Sequence, residues 1–192
     1  MKRPIATLVT LLTLTFVGLS RPGQAVNPTD LQKLRTENAC PGCDLSGANL
    51  AGEDLQDANL MGANLTDANL AGANLQDANL NSAVLNYANL RRADLTSTNF
   101  QYAHLSYANL EESTLVSTDF TQAYLEATNL TGATVRNPIL TGTYMCQATL
   151  PDGTHLYENC NGETSLAHLF IEEDNAIGEP ENAINSASGR LW

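Results

Sequence analysis

Positive charge is what this chain has least of. Its 192 residues hold nine Lys and Arg against 21 Asp and Glu, a formal net charge of −12. Such a surface repels nucleic acid and anionic membranes, so neither is expected as a partner; it reads first as a means of solubility, with attraction of a basic partner as the alternative. Catalytic signatures are missing too: there is no glycine-rich phosphate loop, no G-x-S-x-G and no H-E-x-x-H. The three histidines, His104, His155 and His168, stand far apart in different contexts. No catalytic residue, cofactor site or metal site is therefore expected, and the chain reads as non-enzymatic. Aromatic residues make up only 6%, so any place where they gather is informative. Beyond Leu19 no segment is apolar enough to span a bilayer, which argues against stable membrane insertion of the rest of the chain.

The apolar run that does exist is N-terminal. Lys2 and Arg3 precede a stretch from Ile5 to Leu19, followed by Ser20, Arg21, Pro22 and Gly23-Gln24-Ala25. This order is that of a secretory signal peptide, residues 1–25, cut after Ala25; an uncleaved anchor is the alternative. Cleavage would remove three basic and no acidic residues, taking the formal charge to −15.

What fills the remainder is a period of five. From Leu45 to Leu150 every fifth residue is apolar, 22 positions of which 18 are Leu, the others being Phe100, Phe120, Val135 and Met145. Two residues before each stands a small side chain, Ala at 14 places and Thr or Ser at five. The residue between is usually Asn or Asp, so the unit reads A-(N/D)-L-x-x. Five fits neither the 3.6 of a helix nor the 2 of a strand. A short fixed period sustained this long marks a stacked solenoid, each unit burying its apolar residue against the next turn. In extended backbone residues i and i−2 share a side, so Leu and its small partner face inward and the other three positions outward.

In this unit and its unbroken register the chain resembles the pentapeptide-repeat proteins. The resemblance implies an all-β fold, a right-handed quadrilateral β-helix with four units per coil. On that coil count the run makes a rod roughly 26 Å long at about 4.8 Å per coil. The segment Cys40-Pro41-Gly42-Cys43-Asp44-Leu45 at entry, and Cys146, Pro151-Asp152-Gly153 and Cys160 at exit, narrow the resemblance. They are similar to small exported members of cyanobacteria and the chloroplast thylakoid lumen, which implies a periplasmic or lumenal location.

The rod constrains the four cysteines. Export favours disulfides, and pairs at opposite ends of such a rod are too distant to cross-link. The implied pairs are Cys40–Cys43 and Cys146–Cys160, the second closing the loop around Pro151-Asp152-Gly153. Cys40-x-x-Cys43 has two sharper readings, a redox motif and half of a zinc site. The βαβ context of the first is missing, and Cys146 and Cys160 are badly spaced for the second.

Residues 20 apart should lie over one another in this fold. Val84, His104, Tyr124 and Tyr144 then make one outward column, and Tyr87 and Tyr107 another beside it. Tyr87, His104, Tyr107, Tyr124 and Tyr144 form the candidate protein-binding face; the plainer reading is a packing ladder along stacked strands. Asp57 and Asp77 also align, which suggests a solvated face with weak cation binding as the alternative.

The expected organisation is an N-terminal capping helix (26–39), a solenoid with its cysteine loop (40–162), a C-terminal capping helix (163–175) and a disordered tail (176–192). For the first helix Asn27 can act as N-cap and Pro28 suits the first helical position, while Leu31 and Leu34 share a face for the first coil. For the second, Leu166, Leu169, Phe170 and Ile171 supply the apolar members. Two inward positions break the small-residue rule. Glu53 is expected to reach Lys33 or Arg35 of the cap, and Pro138 to mark a bulge or the approach of the C-terminal end. The favoured function is an exported protein-binding or scaffold module, monomeric or an end-to-end homodimer, with an unidentified protein partner. A thiol-regulated protein of the same compartment is the first alternative. The second is an acidic mimic of DNA, which export disfavours.

Overall fold

The computed structural model describes residues 26–157. The segments read as signal peptide, C-terminal helix and tail, together with Cys160 and His168, lie outside the described residues.

The coil is fixed by its hydrogen bonds. Parallel bridges join residues 20 apart, Ala39 to Asn59, Asp44 to Asn64, Asn49 to Asn69, and onward to Asn129 with Thr149. Strands β1 (Thr114–Val116) and β2 (Thr134–Arg136) pair with the same offset, Thr114 opposite Thr134. Twenty residues are four pentapeptides, so each pentapeptide forms one side of a four-sided coil. Each side is extended for only about three residues. The Leu45 N–H donates to the Asn64 carbonyl at 2.8 Å, and the Asn64 N–H donates to the Cys43 carbonyl at 2.8 Å. That leaves backbone polar groups paired on every side, as a buried backbone requires.

The corners explain the two outward x positions. After each apolar residue the chain turns, and the N–H of the next small residue donates back to that apolar residue's carbonyl. Ala48 to Leu45 and Ala58 to Leu55, both 3.0 Å, are examples. The second turn residue has positive φ, for instance 65° at Gly47, 57° at Asp57 and 62° at Tyr87. Gly and Asp tolerate that conformation best. Asp57 and Asp77 (φ 56°) occupy it, so their alignment follows from turn geometry. Two corners, Leu115–Thr118 and Val135–Pro138, lack the closing bond. Pro138 has no N–H to donate. It therefore marks an open corner stacked on another open corner 20 residues earlier.

The interior is apolar and close-packed. Leu60, Leu65, Leu85, Leu90 and Leu105 are fully buried, as are their partners Ala58, Ala63, Ala83, Ala88 and Ala103. Each such Leu contributes about 1.5–3 kcal/mol by leaving water. Phe100 stacks on Phe120 with centroids 5.4 Å apart and planes at 3°. Where Thr replaces Ala its hydroxyl is buried, and it donates to a carbonyl of the preceding coil. Thr98 reaches Leu75 (2.8 Å), Thr118 Leu95, Thr128 Leu105 and Thr143 Phe120. Toward the C-terminal end packing loosens. Val135 continues a column that holds Leu75, Leu95 and Leu115, and it is smaller than Leu. Beside it, Phe120, Leu130, Pro138, Leu140 and Met145 help line an apolar cavity of about 10 Å³, room for no more than one water molecule.

Helix α1 (Pro28–Glu37) precedes the first coil. The Asn27 side chain accepts from the Thr29 and Asp30 N–H groups, Pro28 opens the helix, and Asn38 ends it in the left-handed region. Leu34 is buried and Leu31 packs partly against the core. Glu53 is held by Arg35, whose Nε donates to Oε1 at 3.0 Å, so the irregular inward acid is paired from α1. At the other end the Gly153 N–H closes a turn onto the Leu150 carbonyl (2.9 Å), and the chain returns antiparallel, His155 beside Thr149. This return covers backbone of the last coil that would otherwise form an open edge. No helix among the described residues is long and apolar enough to cross a membrane.

Candidate interaction face

A four-sided coil with a 20-residue repeat gives four outward ladders, one per side, made by the residue just before each apolar position. Three are polar. One runs Asn49, Asn69, Asn89, Asn109, Asn129, Thr149; a second Asp54, Asn74, Asp94, Thr114, Thr134; a third Asn59, Asn79, Asn99, Asp119, Ile139. The polar choice has a local cause. The side-chain oxygen accepts the backbone N–H two residues on, as Asn69 does from Ala71 (3.2 Å), and the amide Nδ2 donates to the rung before, Asn69 to Asn49 (3.2 Å). These side chains are occupied with their own backbone. In the other two ladders Gln76 donates to Asp94 and Gln101 to Asp119. Burial alone would raise both carboxyls; hydrogen bonds from the Thr96 hydroxyl and Gln76, and from the Thr121 hydroxyl and Gln101, hold them below their ordinary value.

The fourth ladder departs from this. It begins Asp44, Asn64 and continues Val84, His104, Tyr124, Tyr144, all joined by parallel bridges. None of the last four can serve the turn N–H as Asn does. The Ser106 N–H instead finds Asn86 Oδ1 of the preceding coil at 3.1 Å. His104 lies flat on Tyr124, centroids 4.8 Å apart and planes at 4°, and Tyr144 is tilted against Tyr124 at 6.3 Å. On one bordering corner Tyr87 stacks on Tyr107 at 5.1 Å and 8°. All five residues of the candidate face thus come together, four on stacked rungs of two adjacent columns and Tyr144 tilted at the end. Tyr87 and Tyr107 stand at its edge, on the turn, and not on the flat side. The other bordering corner carries Tyr102, which the sequence reading missed. It occupies the same second turn position as Tyr87 and Tyr107 (φ 59°) two residues before His104, and that position was the available signal. Five of the six tyrosines therefore sit on this side or its corners. Tyr87, Tyr102, Tyr107 and Tyr124 each remain about half exposed, 58, 53, 50 and 47%.

Charge is distributed unequally as well. Among the described residues this side and its two corners hold Asp44, Asp67 and Glu126 and no Lys or Arg. The Ser46 hydroxyl, followed by the Ser46 N–H, lowers the Asp44 carboxyl. The described cations lie elsewhere: Arg91 and Arg92 bridge Glu111 and Glu112 across one coil on another corner, Arg136 is on a third, and Lys33 and Arg35 belong to α1. The cysteines occupy the ends. Cys40 and Cys43 form a disulfide with Cα atoms 5.4 Å apart, both buried between α1 and the first coil. Asp30 lies close enough to make a metal-like trio with them, but the two sulfurs are bonded to each other and are not thiolate ligands. Cys146 is disulfide-bonded as well, and its expected partner Cys160 falls outside the described residues.

A family model described as pentapeptide repeats matches eight copies, over overlapping stretches from residue 42 to residue 142. The chain belongs to the pentapeptide-repeat family. Proteins of this family fold as right-handed quadrilateral β-helices and are in general non-enzymatic structural modules. Among solved structures the chain is similar to a pentapeptide repeat protein of the cyanobacterium Cyanothece 51142, at 28% identity and a TM-score of 0.62, covering 64% of this chain and 97% of that one. HetL, a pentapeptide repeat protein involved in heterocyst differentiation regulation in the cyanobacterium Nostoc, matches at 29% identity and a TM-score of 0.45, over 62% of this chain and 66% of that one. A pentapeptide repeat protein of the Arabidopsis thaliana thylakoid lumen matches at 28% identity and a TM-score of 0.36, over 60% of this chain and 70% of that one. No curated protein matches the chain.

Proposed function

We propose that this protein is an exported, non-enzymatic binding or scaffold module, and that its aromatic side is where a partner protein docks. The observation that carries the reading is the contrast between ladders. Three sides spend their polar side chains on their own backbone, while the fourth presents stacked, half-exposed rings. Exposed, pre-ordered aromatic surface costs little side-chain entropy to bury and is enriched in protein interfaces. We further propose the right-handed winding of the family, capping by α1 at one end and by residues 163–175 at the other, and residence in the periplasm or thylakoid lumen. The N-terminal charge, apolar run and Gly23-Gln24-Ala25 site support export. The protein would act as a monomer or an end-to-end dimer.

The test is capture from periplasmic or lumenal extract by the native protein and by a variant with Tyr87, Tyr107, Tyr124 and Tyr144 changed to Ser. Ser already occupies the left-handed turn position at Ser82, Ser97 and Ser117, so the variant should fold, as circular dichroism would verify. A partner kept by the native protein and lost by the folded variant is the expected result. The same partner held equally by both would sink the aromatic reading.

A second reading has its own observation, the buried Cys40–Cys43 disulfide between α1 and the first coil. A thiol-regulated protein would change the hold of α1 on the rod when that bond is reduced. Titration of free thiols with and without a mild dithiol reductant, beside amide exchange of α1, tests it. An α1 whose exchange is unmoved by full reduction would refute the switch.

A further inference from the structure

The aromatic side contains an unfilled step beside Tyr107, and its surroundings state what would fill it. Tyr87, Tyr107 and residue 127 are successive rungs of one corner. The Tyr87 N–H donates to the Ser106 carbonyl (3.1 Å) and the Tyr107 N–H to the Glu126 carbonyl (2.8 Å), so each coil sits directly on the next. Tyr87 covers one face of the Tyr107 ring. On the next rung the chain places Ala127, in the same turn conformation (φ 53°) but without a ring. One face of Tyr107 thus looks into a step one coil high, about 4.8 Å. Beside it stands Glu126, whose carboxylate has no ion pair among the described residues. Asp67, one rung below Tyr87, adds a second carboxylate to the same corner, and among the described residues no Lys or Arg stands on this side or its corners.

We propose that this step receives an arginine side chain from a basic segment of the partner. The guanidinium would lie flat on the open face of Tyr107, over Ala127, and pair with Glu126. Arginine fits because it is planar, always charged and only weakly hydrated, so it stacks on a ring and meets a carboxylate at once. A neutral aromatic ring would fill the step but leave Glu126 unanswered, and an acidic segment would meet Asp67 and Glu126 as like charges. The proposal deepens the docking reading and rests on it.

The test titrates an arginine-containing pentapeptide, and its citrulline counterpart of equal shape without the charge, into the purified protein while following the Tyr107 ring resonances. Saturable shifts with arginine, and binding about three- to tenfold weaker with citrulline, are expected for an exposed cation–π contact joined to an ion pair. Glu126→Gln should weaken the arginine peptide by a similar factor, and Ala127→Tyr, which extends the ring stack into the step, should remove the Tyr107 response. That variant repeats the residue already accommodated at φ 62° in Tyr87 and Tyr107. Equal binding of the two peptides, no saturable shift, or an unaltered response in Ala127→Tyr would each overturn the proposal. The wider reading fails separately: a partner lost by the tyrosine-to-serine variant but held fully by Ala127→Tyr condemns the arginine site alone, whereas a partner held by both removes the face as well.

Discussion

The first and second halves of the rod share one coil and differ in what they put on it. From Leu45 to Leu80 the inward small position is Ala except at Cys43 and Glu53, and the left-handed turn position is Gly or Asp throughout. From Tyr87 onward the same turn position takes Tyr, Arg, Glu, Gln and Ala as well, all at positive φ. A side chain of that kind in the left-handed region costs roughly 1 kcal/mol. Thr and Ser enter the core, where every Thr hydroxyl needs a carbonyl to donate to. The first half is therefore a regular support. The second accepts local strain at its corners, Tyr87 and Tyr107 among them.

The comparison can be broken first at the core. Leu70→Ala, in the fully buried first half, should cost about 2–5 kcal/mol in urea unfolding. Leu140→Ala should cost less than half as much, because Leu140 is only half-buried and already borders a cavity. Equal losses would mean that the two ends are packed alike. A smaller effect tests the turns. Gly62→Ala should destabilise by about 1 kcal/mol through conformation alone, since a Cβ there meets nothing within 4 Å. Ala127→Gly should do the reverse by up to that amount, and thermal melts of the pair would read both. If Ala127→Gly melts lower than the native protein, the second-half turns are not strained.

The smallest effect is acidic. The folded Asp94 and Asp119 carboxyls lie below their ordinary value because the hydrogen bonds to each outweigh burial. Their contribution is thus complete above the unfolded carboxylate pKa of about 3.9 and is lost as pH falls through the lower folded values. Partly exposed as they are, each should be worth no more than about 1 kcal/mol. Asp94→Asn and Asp119→Asn should flatten the loss of stability between about pH 4 and pH 2, as denaturant midpoints across that range would report. An unchanged slope would remove these carboxylates from the acid response.

Much of this was readable from residue order. The period of five names the buried Leu and Ala positions, because no other geometry keeps an apolar residue inside at that spacing. Asn27 before Pro28 marks the helix start, Pro151-Asp152-Gly153 the final turn, and Glu53 in a small-residue slot the need for a nearby cation, which proved to be Arg35. The coil count was not readable, since the period alone does not say how many sides close a turn; it came from family resemblance and stands in the 20-residue register. Tyr102 was missed because no aromatic stands 20 residues before or after it, only Ser82 and Gln122, so it makes no column of its own. The open corner at Leu115–Thr118 has no proline to announce it, and its shape matches the one stacked on it. The antiparallel return through His155 is a tertiary pairing with no local signature.

The most direct test of the division between support and display is site-specific photo-cross-linking. Tyr107 on the aromatic corner and Asn69 on the asparagine ladder would each be replaced in turn by p-benzoylphenylalanine, and each protein exposed to the native extract. The account predicts one cross-linked partner from position 107 and none from position 69. The same adduct from both, or an adduct from 69 alone, would contradict it.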